Sequence, residues 1–253
     1  MAQSANELLN FYMKTESSPY FNYDSSESGE SLFTVWERGE PAQLPAPLSV
    51  RRPRYRRLIV RLITKHVSAS RPRVLSIGAG NGFTEAEMRV RGYDVLATDI
   101  SEIALEYCRR KGLKTLRYEF PHQSFPTPSK FNVIYCDGLL GHLWQLDQSY
   151  SRCWSRFAEL AATDGLLILS NDLADTDDRP TLKVMGAPEA SFFRPPAGWF
   201  AKAAEGSAFW HVKETRLVSY LRRGLPRRRE ILALLFIGER KGRKAQRGGD
   251  RER

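Results

Sequence analysis

No apolar run in the 253-residue chain approaches the length of about 20 residues that a membrane-spanning helix needs. The first residues, MAQSANELLNFYMKTESS, lack the basic start and apolar core of a secretory signal peptide. Cysteine is scarce as well: Cys108, Cys136 and Cys153 have no metal-ligand spacing, and an odd number cannot all pair. We therefore expect a cytoplasmic protein with reduced thiols, no metal and no membrane partner.

Acidic residues are too few to balance the basic ones, since 39 Lys and Arg face 29 Asp and Glu and leave a net charge of +10. The excess is concentrated in residues 50–66, in residues 220–230 and in the C-terminal tail. Such charge suits an anionic partner, either a nucleic acid or a small molecule with a phosphate or carboxylate group. The alternative is a solvated arginine surface without a specific partner, and no RNA-binding motif accompanies the arginines.

Composition divides the chain into three parts. Residues 1–50 form a cap segment that is rich in aromatics and ends in the proline-rich connector EPAQLPAPLS. Residues 51–240 form one domain, in which residues 172–211 are longer and more aromatic than a bare loop and helix require. We expect this insertion to lie on the substrate side. The tail, residues 241–253, is basic and polar, which predicts disorder.

Strands and helices alternate along the domain. The patterns predict helices over 54–66, 82–92, 101–112, 149–165 and 198–209, with strands over 73–78, 94–100, 114–120, 131–138, 166–172, 212–222 and 229–240. Alternation of this kind predicts an α/β fold with a mainly parallel seven-stranded sheet and helices on both faces. The short turn RGLP joins the last two strands, so we expect them to pair as an antiparallel hairpin.

A glycine-rich loop follows the first predicted strand, in RVLSIGAGNGFTEAEMRVRGYDVLATDIS, residues 73–101. Backbone without Cβ approaches a ligand closely, and the next helix presents N–H groups at its start. Asp99 ends the second strand about twenty residues later, where an acid accepts the ribose hydroxyls of a nucleoside. Both a dinucleotide and an S-adenosyl cofactor fit these features.

The glycine spacing separates the two cofactors. A dinucleotide-binding GxGxxG motif needs its third glycine where this chain has Phe83, a side chain too large for close helix–strand packing. The loop reads GxGxG instead, as Gly78-Ala79-Gly80-Asn81-Gly82. This spacing favours the S-adenosyl cofactor.

Over roughly residues 55–240 the chain resembles the class I S-adenosylmethionine-dependent methyltransferases. The resemblance rests on VLSIGAGNG, VLATDIS, LRYEFPHQSFP, FNVIYCDGLLGHL and DGLLILSND. It implies a Rossmann-like fold, with S-adenosyl-L-methionine as the cofactor. One departure concerns the position two residues before the first glycine, where the family commonly has an acid and this chain has Ser76.

The resemblance also implies which residues bind the cofactor. The glycine loop would lie against the methionyl part, Asp99 would bind the ribose, and Ile100 would lie near the adenine. Glu119 would meet the adenine amino group with Phe120 beside the ring, and Asp137 would line the cofactor and face the substrate. The implied cofactor-binding residues are Gly78, Ala79, Gly80, Gly82, Asp99, Ile100, Glu119, Phe120 and Asp137.

Methyl transfer is an in-line displacement in which the protein mainly aligns the nucleophile and excludes water. Our candidate catalytic residues are His142 and Asp137. Family members that methylate small molecules often have a histidine at the His142 position, and its ordinary pKa suits a general base. The alternative is that His142 packs or hydrogen-bonds within its loop.

The candidate substrate-binding residues are Tyr12, Tyr20, Asn171 and Trp199. An enclosed aromatic pocket suits a small organic acceptor, including an anionic one, although the same aromatics could instead complete a satellite core. The sequence CDGLL replaces the NPPY-type motif of enzymes that methylate amino groups of bases or glutamine. We therefore expect a monomeric or homodimeric methyltransferase of natural-product metabolism. The alternatives are an RNA or ribosome methyltransferase and a non-catalytic scaffold or activating subunit that binds the cofactor.

Overall fold

The computed structural model describes residues 31–39, 47–144, 148–176, 178–185, 187–222 and 225–238. The helices are α1 (Leu32–Arg38), α2 (Leu48–Arg51), α3 (Pro53–His66), α4 (Phe83–Val90), α5 (Glu102–Arg110), α6 (Leu140–Leu143), α7 (Ser151–Leu160) and α8 (Trp199–Gly206). The strands are β1 (Arg73–Ile77), β2 (Asp94–Asp99), β3 (Lys114–Arg117), β4 (Phe131–Asp137), β5 (Ala161–Asp172), β6 (Thr181–Met185), β7 (Ala187–Arg194), β8 (Trp210–Arg222) and β9 (Leu225–Phe236).

Seven strands form one sheet in the order β3-β2-β1-β4-β5-β9-β8. The first five strands run parallel, and β9 pairs antiparallel with both β5 and β8. This arrangement confirms the predicted fold, including the C-terminal hairpin. It also brings the carboxyl ends of β1, β2, β4 and β5 to one edge, where ligands bind in open α/β sheets.

Both faces of the sheet are covered. Alternate residues of β4 point to opposite sides, so Val133 and Tyr135 pack with α3 while Ile134 and Cys136 pack with α7. The spacing of Ile59 and Ile63 places both on one face of α3, and both are fully buried. The helix predicted before the first strand is therefore present and packs on the sheet.

Several predicted boundaries were wrong, and two of them show the reason. The helix predicted over 149–165 ends at Leu160, because Ala161 pairs with Phe131 and begins β5. The strand predicted over 114–120 ends at Arg117. In both cases the residue pattern of the element extends beyond its actual end, because contacts with other parts of the chain give the last residues another conformation.

The insertion contains a second, two-stranded sheet of β6 and β7 that the sequence did not predict. Gly186 and Pro188 interrupt this stretch, so it lacks the alternation that indicates a strand. The hairpin is held from outside: α6 packs so closely on β7 that a Cβ at Gly141 would lie 2.5 Å from the Phe192 ring.

Gly82 begins α4 at the end of the glycine loop with a φ of +71°, and an added Cβ would lie 2.7 Å from the Cys108 sulfur. Gly92 has a φ of +88° with nothing within 4 Å of an added Cβ. Both Gly→Ala variants introduce backbone strain of about 1–2 kcal/mol. We expect Gly82→Ala to lose about 1–3 kcal/mol more in the free energy of unfolding than Gly92→Ala, because it also overpacks the core. Urea unfolding measures both, and equal losses would contradict the packing described.

Candidate functional site

The glycine loop connects β1 to α4 at the carboxyl edge of the sheet. Gly78, Gly80 and Gly82 all have positive φ, between 54° and 71°. A Cβ at Gly78 would lie 3.3 Å from the Leu139 side chain, so the loop after β4 touches the glycine loop directly. The absence of side chains thus lets two connecting segments approach each other while leaving backbone exposed to the cleft.

Asp99 lies at the end of β2 and is 8% exposed. One carboxylate oxygen accepts a 2.9 Å hydrogen bond from the Gly80 N–H, and the other accepts one of 2.9 Å from the Ser101 N–H. Burial raises the pKa of Asp99, while these backbone donors act to lower it. Asp99, which we predict to bind a ribose, is therefore held against the loop by the backbone N–H groups of Gly80 and Ser101.

Helix α1 lies over the glycine loop. The Asn81 amide donates to the Phe33 carbonyl at 2.8 Å and to a Glu37 carboxylate oxygen at 2.9 Å. Lys111 at the end of α5 pairs with the same Glu37 at 2.5 Å. The described part of the predicted cap segment is thus tied to the loop that it covers.

A cleft opens between α1, α2, the glycine loop and the end of β4. Its lining residues are Trp36, Pro47, Ser49, Val50, Gly78, Ala79, Asn81, Gly82, Phe83, Thr84, Glu85, Tyr135 and Asp137. Three of the predicted cofactor-binding glycine-loop positions and Asp137 therefore share one cleft. In the part of the chain that the structure describes, no cluster of three His, Cys, Asp or Glu residues could hold a metal ion.

Ser76 is buried beneath the loop, and its hydroxyl donates a 2.6 Å hydrogen bond to Glu85 in the first turn of α4. Glu85 is only 3% exposed and lines the cleft. Burial raises the pKa of Glu85 to about 7, and the Ser76 hydroxyl partly offsets this effect. Ser76 stands where the family commonly has an acid, but no sequence pattern singled out Glu85.

Asp137 at the end of β4 is held by Arg229 of β9. The guanidinium lies 3.1 Å from one Asp137 carboxylate oxygen and 3.4 Å from Asp172 at the end of β5. The Tyr135 hydroxyl donates to Asp137 at 3.1 Å, and the Tyr220 hydroxyl donates to Asp172 at 2.8 Å. Burial acts to lower the pKa of Arg229, but the two carboxylates outweigh it, so the pKa lies well above its usual value.

Arg229 belongs to the arginine run that the sequence analysis treated as a candidate anion site or solvated surface. The structure buries it, and Arg227 of the same run pairs with Asp175. A signal was available: Arg229 alternates with Ile231 and Ala233 along β9, which places all three on the face that packs against α3.

The remaining predicted cofactor residues lie beside this edge. Glu119 is half-buried, and its backbone N–H and C=O hydrogen-bond Gln123. Phe120 is 5% exposed and stacks on Phe157 at 4.6 Å between ring centroids, so most of its surface is already covered by the core. Ile100 is partly exposed directly after Asp99. Their roles toward the adenine remain predictions.

The predicted acceptor-side residues have structural contacts. The His142 ring meets Phe192 edge to face at 4.7 Å, and Trp199 packs against Trp144, Tyr150, Phe193 and Phe200. Asn171 is buried, and its amide donates to the Phe193 carbonyl at 3.2 Å. These contacts match the satellite-core alternative for Trp199, while the predicted Tyr12 and Tyr20 lie outside the described residues.

We expect Arg229→Met to lower the free energy of unfolding by about 3–5 kcal/mol, because it leaves Asp137 and Asp172 buried without a cation. The matched control is Arg216→Met on β8, whose half-exposed side chain pairs with Glu214 and should cost about 0–1 kcal/mol. Urea unfolding of both variants gives the comparison. If Arg229→Met unfolded at the same urea concentration as wild type, the ion pairs of Arg229 with Asp137 and Asp172 would not contribute to stability.

Comparisons with known proteins agree with the fold. A family model described as a methyltransferase domain matches residues 48–217. A tabtoxin biosynthesis enzyme of Pseudomonas amygdali pv. tabaci is 29% identical over 147 residues, which are 58% of this chain and 58% of that protein. The chain therefore matches less than two thirds of that relative's length.

Two solved structures share the fold. The 1,6-didemethyltoxoflavin-N1-methyltransferase of Burkholderia thailandensis, with 1,6-didemethyltoxoflavin and S-adenosylhomocysteine bound, has a TM-score of 0.61 at 16% identity, over 80% of this chain and 84% of that one. The magnesium protoporphyrin IX methyltransferase of Synechocystis PCC 6803, with S-adenosylhomocysteine bound, has a TM-score of 0.58 at 16% identity, over 81% and 94% of the two chains. The chain belongs to the methyltransferase domain family, which confirms its resemblance to the class I S-adenosylmethionine-dependent enzymes.

Proposed function

We propose that this methyltransferase transfers the methyl group of S-adenosylmethionine to a small organic acceptor in natural-product biosynthesis. The observation that carries the proposal is a cleft that the glycine loop and Asp137 line under a cap helix, with Asp99 bonded to the same loop. The tabtoxin and toxoflavin proteins among the similar chains support the natural-product context. Glycine backbone and buried acids suit a ligand with a ribose and an amino-acid end.

The cofactor supplies an electrophilic methyl group on a sulfonium when it is bound. The chain's own residues bind the cofactor and align it with the acceptor. Asp99 accepts hydrogen bonds from the ribose hydroxyls, and the glycine loop lies against the methionyl part. Helix α1 excludes water on one side through the contacts of Asn81 with Phe33 and Glu37.

The acceptor side begins where β4 ends. Gly78 touches Leu139, and His142 lies three residues further along, in α6. We assign the general-base role to His142, which would take a proton from the acceptor. Asp137 lines the cleft beside the glycine loop, and Arg229 holds its carboxylate in place, so Asp137 serves to orient the acceptor. Asn171 is buried and Trp199 packs within an aromatic cluster, so we assign neither a direct contact with the acceptor.

The RNA-methyltransferase alternative rested on the basic segments. Several of these arginines have internal partners: Arg229 pairs with Asp137, and Arg56 donates to the Ser49 carbonyl and pairs with Glu87. Part of the positive charge is therefore neutralised by carboxylates within the domain. No structural feature of the described residues favours RNA over a small acceptor.

To test the enzymatic proposal, the full-length protein is incubated with S-adenosylmethionine and a panel of small heteroaromatic and amino-acid acceptors. Formation of S-adenosylhomocysteine together with an acceptor heavier by one CH₂ group is the expected result, and mass spectrometry detects both. A structured RNA in place of the small acceptors is the comparison arm. Methylation of the RNA alone would overturn the small-molecule proposal.

Asp99→Ala should weaken binding of S-adenosylhomocysteine by about 1.5–3 kcal/mol, the range for hydrogen bonds to a charged group. Asp94→Ala is the control, because Asp94 lies at the opposite end of the same strand and pairs with Lys114. Isothermal titration calorimetry measures both affinities. Equal affinities for wild type and Asp99→Ala would mean that Asp99 does not bind the ribose.

His142→Ala should lower turnover about 100-fold or more on an acceptor from the panel, while the affinity for S-adenosylhomocysteine stays unchanged. His211→Ala, on the exposed side of β8, controls for the loss of a histidine and should retain turnover. Turnover of His142→Ala at the wild-type rate would assign His142 a structural role, such as its packing against Phe192.

A further inference from the structure

Glu85 and Asp137 line the cleft, Asp99 lies beside it against the glycine loop, and the surroundings of the three acids differ. Asp99 of β2 accepts from two backbone N–H groups, and Asp137 of β4 is paired with Arg229. Glu85 of α4 accepts from the Ser76 hydroxyl and from its own backbone N–H. None of the ion pairs found among the described residues involves Glu85. Of the two acids that line the cleft, Glu85 is therefore the one whose negative charge no Lys or Arg of the described chain is seen to balance.

Burial of an ionised carboxyl without a cation is costly, and a cation that enters the same cleft removes that cost. The amino-acid end of S-adenosylmethionine has an ammonium group, and the glycine loop that holds this end lies directly beside Glu85 in the cleft wall. Asp137 is unsuited to this role because Arg229 already neutralises it, and Asp99 lies at the ribose position.

We propose that Glu85, oriented by the Ser76 hydroxyl, binds the ammonium group of the cofactor's amino-acid end. In this chain the acid for that group comes from the first turn of α4, while β1 contributes only a serine that orients it. The inference rests on S-adenosylmethionine as the cofactor and is independent of the acceptor. Glu85 is a binding residue, and Ser76 is a positioning residue.

The proposal has a consequence for protons. With a pKa of about 7, Glu85 holds about half a proton at pH 7 in the unliganded protein. An ammonium partner favours the ionised form, so binding should release about half a proton. The other titratable groups that face Glu85 are Asp99, Tyr135, Asp137 and Cys108. Below pH 7 the proton must leave before binding, so affinity should fall by up to about tenfold per pH unit.

The experiment is calorimetric titration of the full-length protein at pH 7 in buffers with different ionisation enthalpies. One ligand is S-adenosylhomocysteine, which has the ammonium group. The other is 5′-methylthioadenosine, which has the nucleoside and sulfur but lacks the amino-acid end. For wild type we expect proton release with the first ligand and none with the second.

The variant Glu85→Gln keeps the shape of the side chain and removes its charge. We expect it to lose about 10- to 100-fold in affinity for S-adenosylhomocysteine, to lose the proton release, and to bind 5′-methylthioadenosine as wild type does. Glu87→Gln is the control, because Glu87 lies on the same helix and pairs outward with Arg56 and Arg91. It should behave as wild type with both ligands.

Two results would overturn the proposal. One is S-adenosylhomocysteine binding to wild type without proton release, which tests Glu85 even if the variant does not fold. The other is an equal loss of affinity for both ligands in Glu85→Gln. Failure of wild type to bind S-adenosylhomocysteine at all would instead contradict the cofactor assignment on which the proposal rests.

Discussion

Buried carboxyl groups at one edge of the sheet are the constraint on which the rest of the site depends. The three acids are Glu85 of α4, Asp99 of β2 and Asp137 of β4. Each carboxylate would be costly to bury if nothing balanced its negative charge. The fold balances Asp137 with Arg229, which also contacts Asp172 and so links β4, β5 and β9. Asp99 is balanced by backbone N–H groups of the glycine loop and of the turn before α5.

The same contacts shape the cleft. Because Asp99 accepts from Gly80, the loop is fixed in the conformation that exposes its backbone to a ligand. Because Asn81 bonds Phe33 and Glu37, the cap helix is positioned by the same loop. In the proposed function, cofactor binding and shielding from water thus both depend on one short segment between β1 and α4. Substitutions in this segment should affect several functions at once.

Much of this could be predicted from the sequence. The glycine loop and Asp99 were found because their signals are local: a strand, three glycines at fixed spacing, and an acid one strand later. The mainly parallel sheet and the C-terminal hairpin followed from the alternation of strands and helices and from a short turn. The predicted helix and strand ran past their actual ends at Leu160 and Arg117. Pairing between strands that are distant in the sequence decides these ends, and the local residue pattern does not show that pairing.

The parts that were missed depend on long-range contacts. Arg229 lay in a run of three arginines, and only its alternation with Ile231 and Ala233 along β9, not composition, separated it from its half-buried neighbours. Glu85 in a first helical turn has an ordinary explanation in the helix dipole, and only the structure, through its burial and its hydrogen bond from Ser76, shows that it faces inward. The β6–β7 hairpin depends on packing against α6 rather than on its own sequence pattern.

The central claim is that the glycine loop and its buried acids hold an S-adenosyl cofactor and not a dinucleotide. Calorimetric titration of the wild-type protein with S-adenosylhomocysteine, and with NADH as the comparison ligand, tests it most directly. The account predicts binding of S-adenosylhomocysteine at micromolar concentrations and no heat of binding with NADH. Binding of NADH, or of neither ligand, would contradict it.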